Sequence, residues 1–244
     1  EEMVIKKFEK TGIPMYHTIG NHETDNCKLS EILDFFSMRN PYYSVMCNEY
    51  KLIFLNTCYM RKDEQEEVYY KNNFKNSSSV YPIVPEEEIR WLQEELSDGM
   101  KCVIFSHHSF VNDFAKRGVN NREDIRKLFV GKSVVLCMNG HDHGDNYSLE
   151  DGISYLTVNS ANYAWLGSQI ASSEVLQEKY SYLRGMLQYK QAMSAYIEID
   201  DSEIRICGMK GEYLSVTPDD IALHDYKWNG VSIKPQISSH LIKL

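Results

Sequence analysis

The sequence MNGHDHGD, residues 138–145, places two histidines in a glycine-flanked turn. The run before it, SVVLC at residues 133–137, is short and rich in β-branched residues, which predicts a buried strand that ends near Met138. His141 and His143 therefore lie where a predicted strand opens into a loop. Because ligands bind at this end of the strands in open α/β sheets, we expect a functional site here.

Two more predicted strands end in similar polar residues. They are IPMYHTI, residues 13–19, and KCVIF, residues 101–105. The polar residues at the three exits are Asn21, His22, His107, His108, His141 and His143. Five of the eight histidines thus follow predicted strands, which favours a metal or catalytic site over the structural role usual for an isolated histidine. Glycines at two strand tips, Gly20 and Gly140, would let the backbone turn sharply and approach a bound ion or phosphate.

Composition limits the function classes. The chain has 244 residues, of which 43% are hydrophobic and 25% charged, as in a soluble globular protein. We predict a single domain over residues 1–244. The formal net charge of −9 argues against a nucleic-acid-binding surface, and no apolar run is long enough for a membrane span. A cytoplasmic protein is the resulting expectation, with neither nucleic acid nor membrane as a partner.

Apolar runs and helical patterns alternate along the chain, which predicts an α/β fold. PYYSVMCNEYKLIFLNT, residues 41–57, predicts two strands joined at Asn48-Glu49, and Pro85 opens a helix with an acidic first turn. Residues 61–81 are polar and predict a surface excursion, for which a solvated insertion is favoured over a functional loop. Residues 180–190 suggest helical structure, and strands are expected from about residue 190 to residue 244.

Three motifs carry a family resemblance. GNHE at 20–23, the histidine that ends VIFSHH at 103–108, and GHDH at 140–143 resemble, in order, the last three signature blocks of the calcineurin-like metallophosphoesterases. The resemblance extends from Ile13 to about Val158 and implies a four-layer α/β/β/α sandwich with a dinuclear metal site. The family's first blocks, Asp-x-His and Gly-Asp-x-x-Asp, do not occur in the sequence. We therefore expect an N-terminally truncated domain that lacks its first strand-helix units.

The resemblance also implies roles for individual residues. Asn21, His107 and His141 are expected to bind one divalent metal ion and His143 the other, while His22 is the expected catalytic histidine. His108 is the alternative to His107 as a ligand and is otherwise a candidate substrate-binding residue. The two ions would be Mn, Fe, Zn or similar metals, because the donor set combines imidazole nitrogen with amide oxygen.

The resulting hypothesis is hydrolysis of a phosphodiester or phosphomonoester by metal-bound hydroxide at the dinuclear site. Because most ligands of one ion are absent, this chain alone should show little or no activity. Two rival hypotheses are a non-catalytic scaffold or partner-binding module that keeps the fold, and a mononuclear hydrolase that uses Asn21, His107 and His141.

The expected substrate is a small phosphoester. Nucleotides are among the candidates, because Tyr163 or Trp165 in NSANYAWLG, residues 159–167, could stack on a base. Packing in the core is the more common role of such aromatic residues. The sequence leaves open the exact substrate, from cyclic nucleotides and nucleotide diphosphates to phospholipid head groups and phosphoproteins.

Overall fold

A computed structural model of the chain describes residues 2–75, 80–167, 178–179, 181–183 and 185–244. The α-helices are α1 Glu2–Glu9, α2 Leu29–Phe35, α3 Glu86–Glu95 and α4 Arg122–Phe129. The strands are β1 Tyr43–Cys47, β2 Tyr50–Phe54, β3 Tyr59–Lys62, β4 Gln65–Val68, β5 Lys101–Ser106, β6 Val134–Asn139, β7 Asn146–Glu150, β8 Ile153–Thr157, β9 Tyr163–Trp165, β10 Met186–Gln188, β11 Tyr196–Ile199, β12 Glu203–Cys207, β13 Lys227–Trp228, β14 Val231–Ser232 and β15 His240–Lys243.

The central sheet has the strand order β1-β2-β5-β6-β8-β7. Its four inner strands are parallel, and the outer strands β1 and β7 each pair antiparallel with their neighbour. The inner strands β5 and β6 have apolar side chains on both faces of the central sheet. This explains why they are continuous hydrophobic runs in the sequence. The parallel pairing directs the ends of β5 and β6, and the loops that follow, to one edge of the sheet.

One face of the central sheet is covered by helices and the other by a second sheet. On the first face, Ile104 and Cys137 belong to one buried cluster with Leu92 of α3 and Phe129 of α4. On the other face, strands β11, β12 and β15 form a three-stranded sheet, and Ile204, Ile206 and Ile242 pack against Val103, Leu136 and Leu156.

The predicted α/β sandwich is thus confirmed; of the four layers that the resemblance implies, the helices on the first face, the central sheet and the second sheet are found among the described residues. The outer face of the second sheet is open where Tyr196 and Leu241 are 65% and 53% exposed. No helix of the described residues covers these two side chains.

The predicted strand at residues 13–19 is not formed. This stretch belongs to no ladder with the described strands. Instead, the Tyr43 hydroxyl accepts from the backbone N–H of His17 at 2.8 Å and donates to the carbonyl of His17 at 3.0 Å. A side chain of β1 thereby satisfies backbone groups that a neighbouring strand would otherwise pair, and Ile13 is left 68% exposed.

Most of the other predicted elements are found. β1 and β2 are joined at Asn48, which has a positive φ of 53°, and α3 begins directly after Pro85. The polar segment 61–81 is more ordered than expected, because Arg61–Val68 contribute to the hairpin of β3 and β4; residues 76–79 lie outside the described residues. In the predicted helical stretch 180–190, a short 3-10 turn at Ser181–Leu183 is followed by strand β10, while residues 180 and 184 lie outside the described residues. Among the described residues, no helix has the length and apolar character that crossing a membrane requires.

Candidate metal centre

Three side-chain donor atoms, from Asn21, His107 and His141, converge at the edge of the central sheet. Oδ1 of Asn21 lies 2.7 Å from Nε2 of His107 and 3.3 Å from Nδ1 of His141. The two histidine nitrogens are 3.1 Å apart. His107 directly follows β5, and His141 follows β6 after one intervening residue. The fold therefore gathers donors that are up to 120 positions apart in the sequence.

The GHDH turn holds its two histidines in an unusual backbone conformation. His141 and His143 have φ values of 63° and 51°, in the left-handed region that residues with a side chain rarely adopt. Gly140, which the sequence suggested as the turning residue, has no positive φ, and a Cβ there would meet no atom within 4 Å. The turn thus places its backbone strain on the histidines, as is common at functional sites.

The close approach expected at Gly20 is found, with a histidine ring as the neighbour. A Cβ at Gly20 would lie 2.7 Å from Oε2 of Glu23 and 3.0 Å from Cε1 of His107. The backbone N–H of Gly20 donates to the same Glu23 oxygen at 2.9 Å. The missing side chain at Gly20 lets the His107 ring reach Asn21.

Burial favours the neutral form of four histidines of the site, which are His107, His108, His141 and His143. Removal from water lowers the pKa of His107 to about 3 and the pKa of His143 to about 4. Burial also lowers the pKa values of His108 and His141 well below the usual range. The positive charge of Arg117 acts in the same direction on all four rings. Neutral imidazoles retain the lone pair with which histidine binds a metal ion.

The donor set fits divalent metal ions. Two neutral imidazole nitrogens and an amide oxygen lie within 3.3 Å of one another. Such mixed nitrogen and oxygen donors suit Mn, Fe or Zn. In addition, Nδ1 of His143 is buried and has no hydrogen-bond partner among the described residues. An unpaired buried nitrogen is costly unless a ligand meets it. His143 is therefore available as a further donor beside the group of Asn21, His107 and His141.

His108 lies next to this group but has different hydrogen bonds. One nitrogen each of His107, His108 and His141 fall within 4.8 Å of one another, so distance alone would admit His108 as a ligand. The fully buried Thr57 has its Oγ1 2.7 Å from Nδ1 of His108 and accepts the backbone N–H of His108 at 3.1 Å. The buried hydroxyl proton of Thr57 needs an acceptor, and Nδ1 of His108 is the atom that we assign to this role. The ring proton of His108 is then on Nε2. This tautomer donates from Nε2 and offers no lone pair there.

His22 is positioned by a carboxylate. Its Nδ1 lies 2.8 Å from Oδ2 of Asp25, while 66% of the His22 side chain is exposed. Nζ of Lys75 lies 3.8 Å from the other oxygen of Asp25. With Nδ1 held by Asp25, Nε2 is the ring atom of His22 that remains for a substrate.

These side chains open into one cavity of about 870 Å³. Every site residue named from the sequence lines it, including Tyr163 and Trp165 of β9. Tyr163 packs against His143 with ring centroids 4.7 Å apart, and both aromatic residues remain partly exposed. Whether they also stack on a substrate stays a prediction.

A second wall of the cavity was not predicted as functional. Its residues come from the segment after β4 and from the loop after β5, and they are Tyr69, Phe74, Lys75, Tyr81, Phe114, Lys116 and Arg117. The description of residues 61–81 as a solvated insertion is wrong for this part, because Tyr69 is only 2% exposed. The sequence offers one indication of this wall: the loop that carries Arg117 begins at the C-terminal end of β5, where His107 also lies. The segment after β4 gave no such signal, because its polar composition is that of an ordinary loop.

Known proteins share this sequence pattern and fold. The family model for calcineurin-like phosphoesterases matches residues 1–145. A manganese-dependent ADP-ribose/CDP-alcohol diphosphatase from Arabidopsis thaliana is 24% identical over an alignment of 197 residues, and the match covers 65% of this chain and 63% of that protein. The chain thus spans less than two thirds of the length of this curated relative.

A solved structure supports the fold. A dimetal phosphatase from Danio rerio matches with a TM-score of 0.58 and 14% identity, over 88% of this chain and 76% of that chain. The family match covers more than half of the chain and includes the Asn21, His107 and His141 segments. The chain therefore belongs to the calcineurin-like phosphoesterases, a family of metal-dependent hydrolases.

Proposed function

We propose that the protein hydrolyses a phosphodiester or phosphomonoester at a site for two divalent metal ions. The observation that carries the proposal is the convergence of Asn21 Oδ1, His107 Nε2 and His141 Nδ1 within 3.3 Å of one another. These three side chains would hold one ion, and the unpaired Nδ1 of His143 would bind the other. Bound ions would polarise the phosphoryl group and supply a nucleophile at neutral pH.

Two further histidines would act on the substrate directly. His22, with Nδ1 held by Asp25, would donate a proton from Nε2 to the leaving-group oxygen. His108 would donate from Nε2 to a phosphoryl oxygen, which the hydrogen bonds of Thr57 support. We therefore favour His107 over His108 as the metal ligand.

The substrate would be a small phosphoester with a planar group. A cavity of about 870 Å³ is in the size range of small-molecule sites. The name of the Arabidopsis relative gives ADP-ribose and CDP-alcohols as its substrates, which supports nucleotide-containing phosphodiesters as candidates for this chain. Tyr163 and Trp165 would stack on the base.

The proposal is tested by metal binding and turnover of the same preparation. The chain is stripped with EDTA and titrated with Mn²⁺ in a calorimeter, and hydrolysis of bis(p-nitrophenyl) phosphate, p-nitrophenyl phosphate and ADP-ribose is then measured. We expect the first equivalent of Mn²⁺ to bind tightly and the second to bind weakly, because His143 is the only residue proposed as a ligand of the second ion, and hydrolysis should disappear in EDTA and return with Mn²⁺. Because the chain alone is predicted to be weakly active, binding is the primary readout.

The rival hypotheses give different results in this experiment. A partner-binding module would neither bind Mn²⁺ nor hydrolyse any of the three esters, and that result would overturn the proposal. A mononuclear hydrolase would reach full activity at one equivalent of Mn²⁺.

A further inference from the structure

A β-hairpin near the end of the chain lies against the turn that carries the metal donors. Its strands β13 and β14 are joined by Asn229 and Gly230, which have positive φ values of 51° and 85°. Asn-Gly is the preferred pair for a two-residue hairpin turn of this conformation. The hairpin lies outside residues 1–145, which the family model matches. Its role is therefore inferred from its contacts alone.

Backbone hydrogen bonds fasten the hairpin directly after the GHDH turn. The N–H of Asp145 donates to the carbonyl of Ser232 at 2.7 Å, and the N–H of Ser232 donates to the carbonyl of Asp145 at 3.0 Å. A Cβ at Gly144 would lie 2.5 Å from Cγ2 of Val231 and 2.6 Å from the carbonyl oxygen of Ser232. The glycine thus lets the hairpin pack closely against the residue that follows His143.

The side chain of Asn229 reaches the GHDH turn through Arg117. Nη2 and Nε of Arg117 donate to the amide oxygen of Asn229 at 2.5 and 3.0 Å, in the amide orientation that satisfies its neighbours. The indole N–H of Trp228 donates to the same oxygen at 3.2 Å. Nη1 of Arg117 donates to the backbone carbonyl of His141 at 3.2 Å. The guanidinium therefore spans two oxygens, one in the hairpin and one in the metal-donor turn.

A second link between the turn and Asn229 runs through Asn112. Nδ2 of Asn112 donates to the backbone carbonyl of Asn229 at 3.1 Å and to Oδ2 of Asp142 at 3.1 Å. A Cβ at Gly230 would lie 3.2 Å from Oδ1 of Asn112, so the two segments are closely packed. Both links from the turn thus end at Asn229, one at its side chain and one at its backbone.

The metal-donor turn needs such support because of its backbone conformation. His141 has a φ of 63°, and its Nδ1 must stay near Oδ1 of Asn21, which is 3.3 Å away. A residue with a side chain keeps this conformation only where its surroundings hold it. A hydrogen bond to the carbonyl of His141 restricts its backbone, and with it the direction of the imidazole.

We propose that Asn229 is a positioning residue of the metal site. It holds the guanidinium of Arg117, which holds the carbonyl of His141 and so keeps Nδ1 of His141 directed at Asn21 and His107. This inference rests on the proposed function. Residues that orient metal ligands typically contribute about 10- to 100-fold to metal affinity. A residue outside the part of the chain that matches the family would thus tune the metal centre.

The test removes the amide of Asn229 without straining the turn. Glycine adopts a positive φ freely, so Asn229→Gly deletes the acceptor for Arg117 and leaves the backbone unstrained. Calorimetry with Mn²⁺ on the EDTA-stripped full chain should show the first equivalent binding about 10- to 100-fold more weakly. Asn229→Asp keeps an oxygen acceptor and also suits the turn, so its affinity should stay within about 3-fold of that of the unaltered chain.

Asn48→Gly is the matched control. Asn48 is an exposed asparagine with a φ of 53° in the two-residue turn between β1 and β2, outside the cavity. Its replacement changes the chain in the same way and should leave the affinity for Mn²⁺ unchanged. Urea unfolding in EDTA checks that both glycine variants fold.

A double-mutant cycle tests whether Asn229 acts through Arg117. In the Arg117→Gln background the link is already broken, so Asn229→Gly should cost less than about 3-fold in Mn²⁺ affinity. Arg117→Gln also removes a positive charge near the site, and the cycle cancels that separate effect. Arg117→Lys keeps the charge but cannot span both oxygens, so it should weaken Mn²⁺ binding even if Asn229→Gly does not fold.

The outcomes separate this inference from the proposed function. Unchanged Mn²⁺ affinity in Asn229→Gly or in Arg117→Lys would overturn the inference, and so would equal losses from Asn229→Gly with and without Arg117. A loss in Asn229→Asp as large as that in Asn229→Gly would also overturn it, because the acceptor oxygen would not matter. If the unaltered chain binds no Mn²⁺, the proposed function itself fails.

Discussion

His107 and His141 bring two ring nitrogens within 3.1 Å of each other, and both face the amide oxygen of Asn21. At most one proton fits between the two nitrogens, so at least one of them directs a lone pair at the other atoms of the group. The oxygen of Asn21 adds its own lone pairs to the same small buried volume. Burial opposes protonation of either ring and lowers the pKa of both. A bound cation is the simplest way to stabilise this arrangement, which makes metal occupancy the first property to test.

Loss of a metal ligand should be recoverable with excess metal. Asn21→Ala and His141→Ala each remove one of the converging donors, so affinity for Mn²⁺ and activity at limiting Mn²⁺ should both fall. Excess Mn²⁺ should restore part of the activity, because the defect lies in occupancy. Calorimetry and a Mn²⁺ titration of the hydrolysis rate measure the two effects.

The control for the ligand variants is His224→Ala. His224 is exposed and bonds Asp219 at 3.0 Å outside the cavity, so its loss should leave Mn²⁺ affinity unchanged. If Asn21→Ala and His141→Ala bind Mn²⁺ as tightly as the unaltered chain, these residues are not ligands.

Replacement of His22 should affect chemistry rather than metal binding. His22→Ala removes the predicted proton donor, so kcat should fall by about 10²- to 10⁴-fold while the Mn²⁺ content stays constant. The loss should be smaller for p-nitrophenyl esters than for alkyl esters, because p-nitrophenolate leaves without protonation. The measurement is kcat for both kinds of ester, with metal analysis of the same samples.

A parallel variant tests the carboxylate beside His22. Asp25→Asn keeps an oxygen near Nδ1, which lies 2.8 Å from Oδ2 of Asp25, and should lower kcat less than His22→Ala. Loss of Mn²⁺ from His22→Ala, or equal losses for good and poor leaving groups, would contradict the role of His22 as a proton donor.

The strand ends were predictable because they depend on local sequence. KCVIF and SVVLC are short apolar runs followed by polar residues, and parallel strands place such ends at one edge of a sheet. The convergence of His107 and His141 follows from that rule without knowledge of the loops. The segment 13–19 has the same apolar pattern but pairs with no described strand, so an apolar run alone does not determine whether a strand forms.

The second wall of the cavity could not be predicted from local sequence. Arg117 reaches the site because Asn112 and Asn229 tie the loop after β5 to a segment more than 100 positions later. Tyr69 becomes buried in a cluster that joins nearby Phe74 to the more distant Ile19 and Ile32. Such contacts depend on the tertiary arrangement, and a polar loop sequence carries no sign of them.

Close packing at Gly118 should make it intolerant of a side chain. A Cβ would lie 1.9 Å from the backbone oxygen of Asn112, which must then move, so Gly118→Ala should destabilise the chain by about 1–3 kcal/mol. Gly140→Ala is the matched control, because its Cβ would meet no atom within 4 Å, and it should change stability by less than about 0.5 kcal/mol. Urea unfolding measures both. Equal stability of the two variants would show that the loop of Arg117 adapts easily.

The last prediction concerns a buried carboxyl group on α3. Glu88 of α3 is fully buried; its Oε1 accepts from the backbone N–H of Asn56 at 2.8 Å, and its Oε2 has no partner among the described residues. Burial raises the pKa of Glu88 well above its ordinary value in the folded chain. The unfolded chain releases this proton at lower pH, so the stabilisation from protonated Glu88 is complete below the unfolded pKa and is lost as pH rises through the folded pKa.

Glu88→Gln should therefore flatten the dependence of stability on pH. The amide keeps an acceptor for Asn56 and does not ionise, so the stability of the variant relative to the unaltered chain should increase as pH rises from 5 to 8. Urea unfolding at several pH values in this range measures the difference. Glu94→Gln, an exposed change on the same helix, is the control and should show a nearly constant difference, because folding does not remove Glu94 from water. A constant difference for Glu88→Gln would mean that Glu88 remains ionised in the folded protein, with its charge compensated by hydrogen bonds.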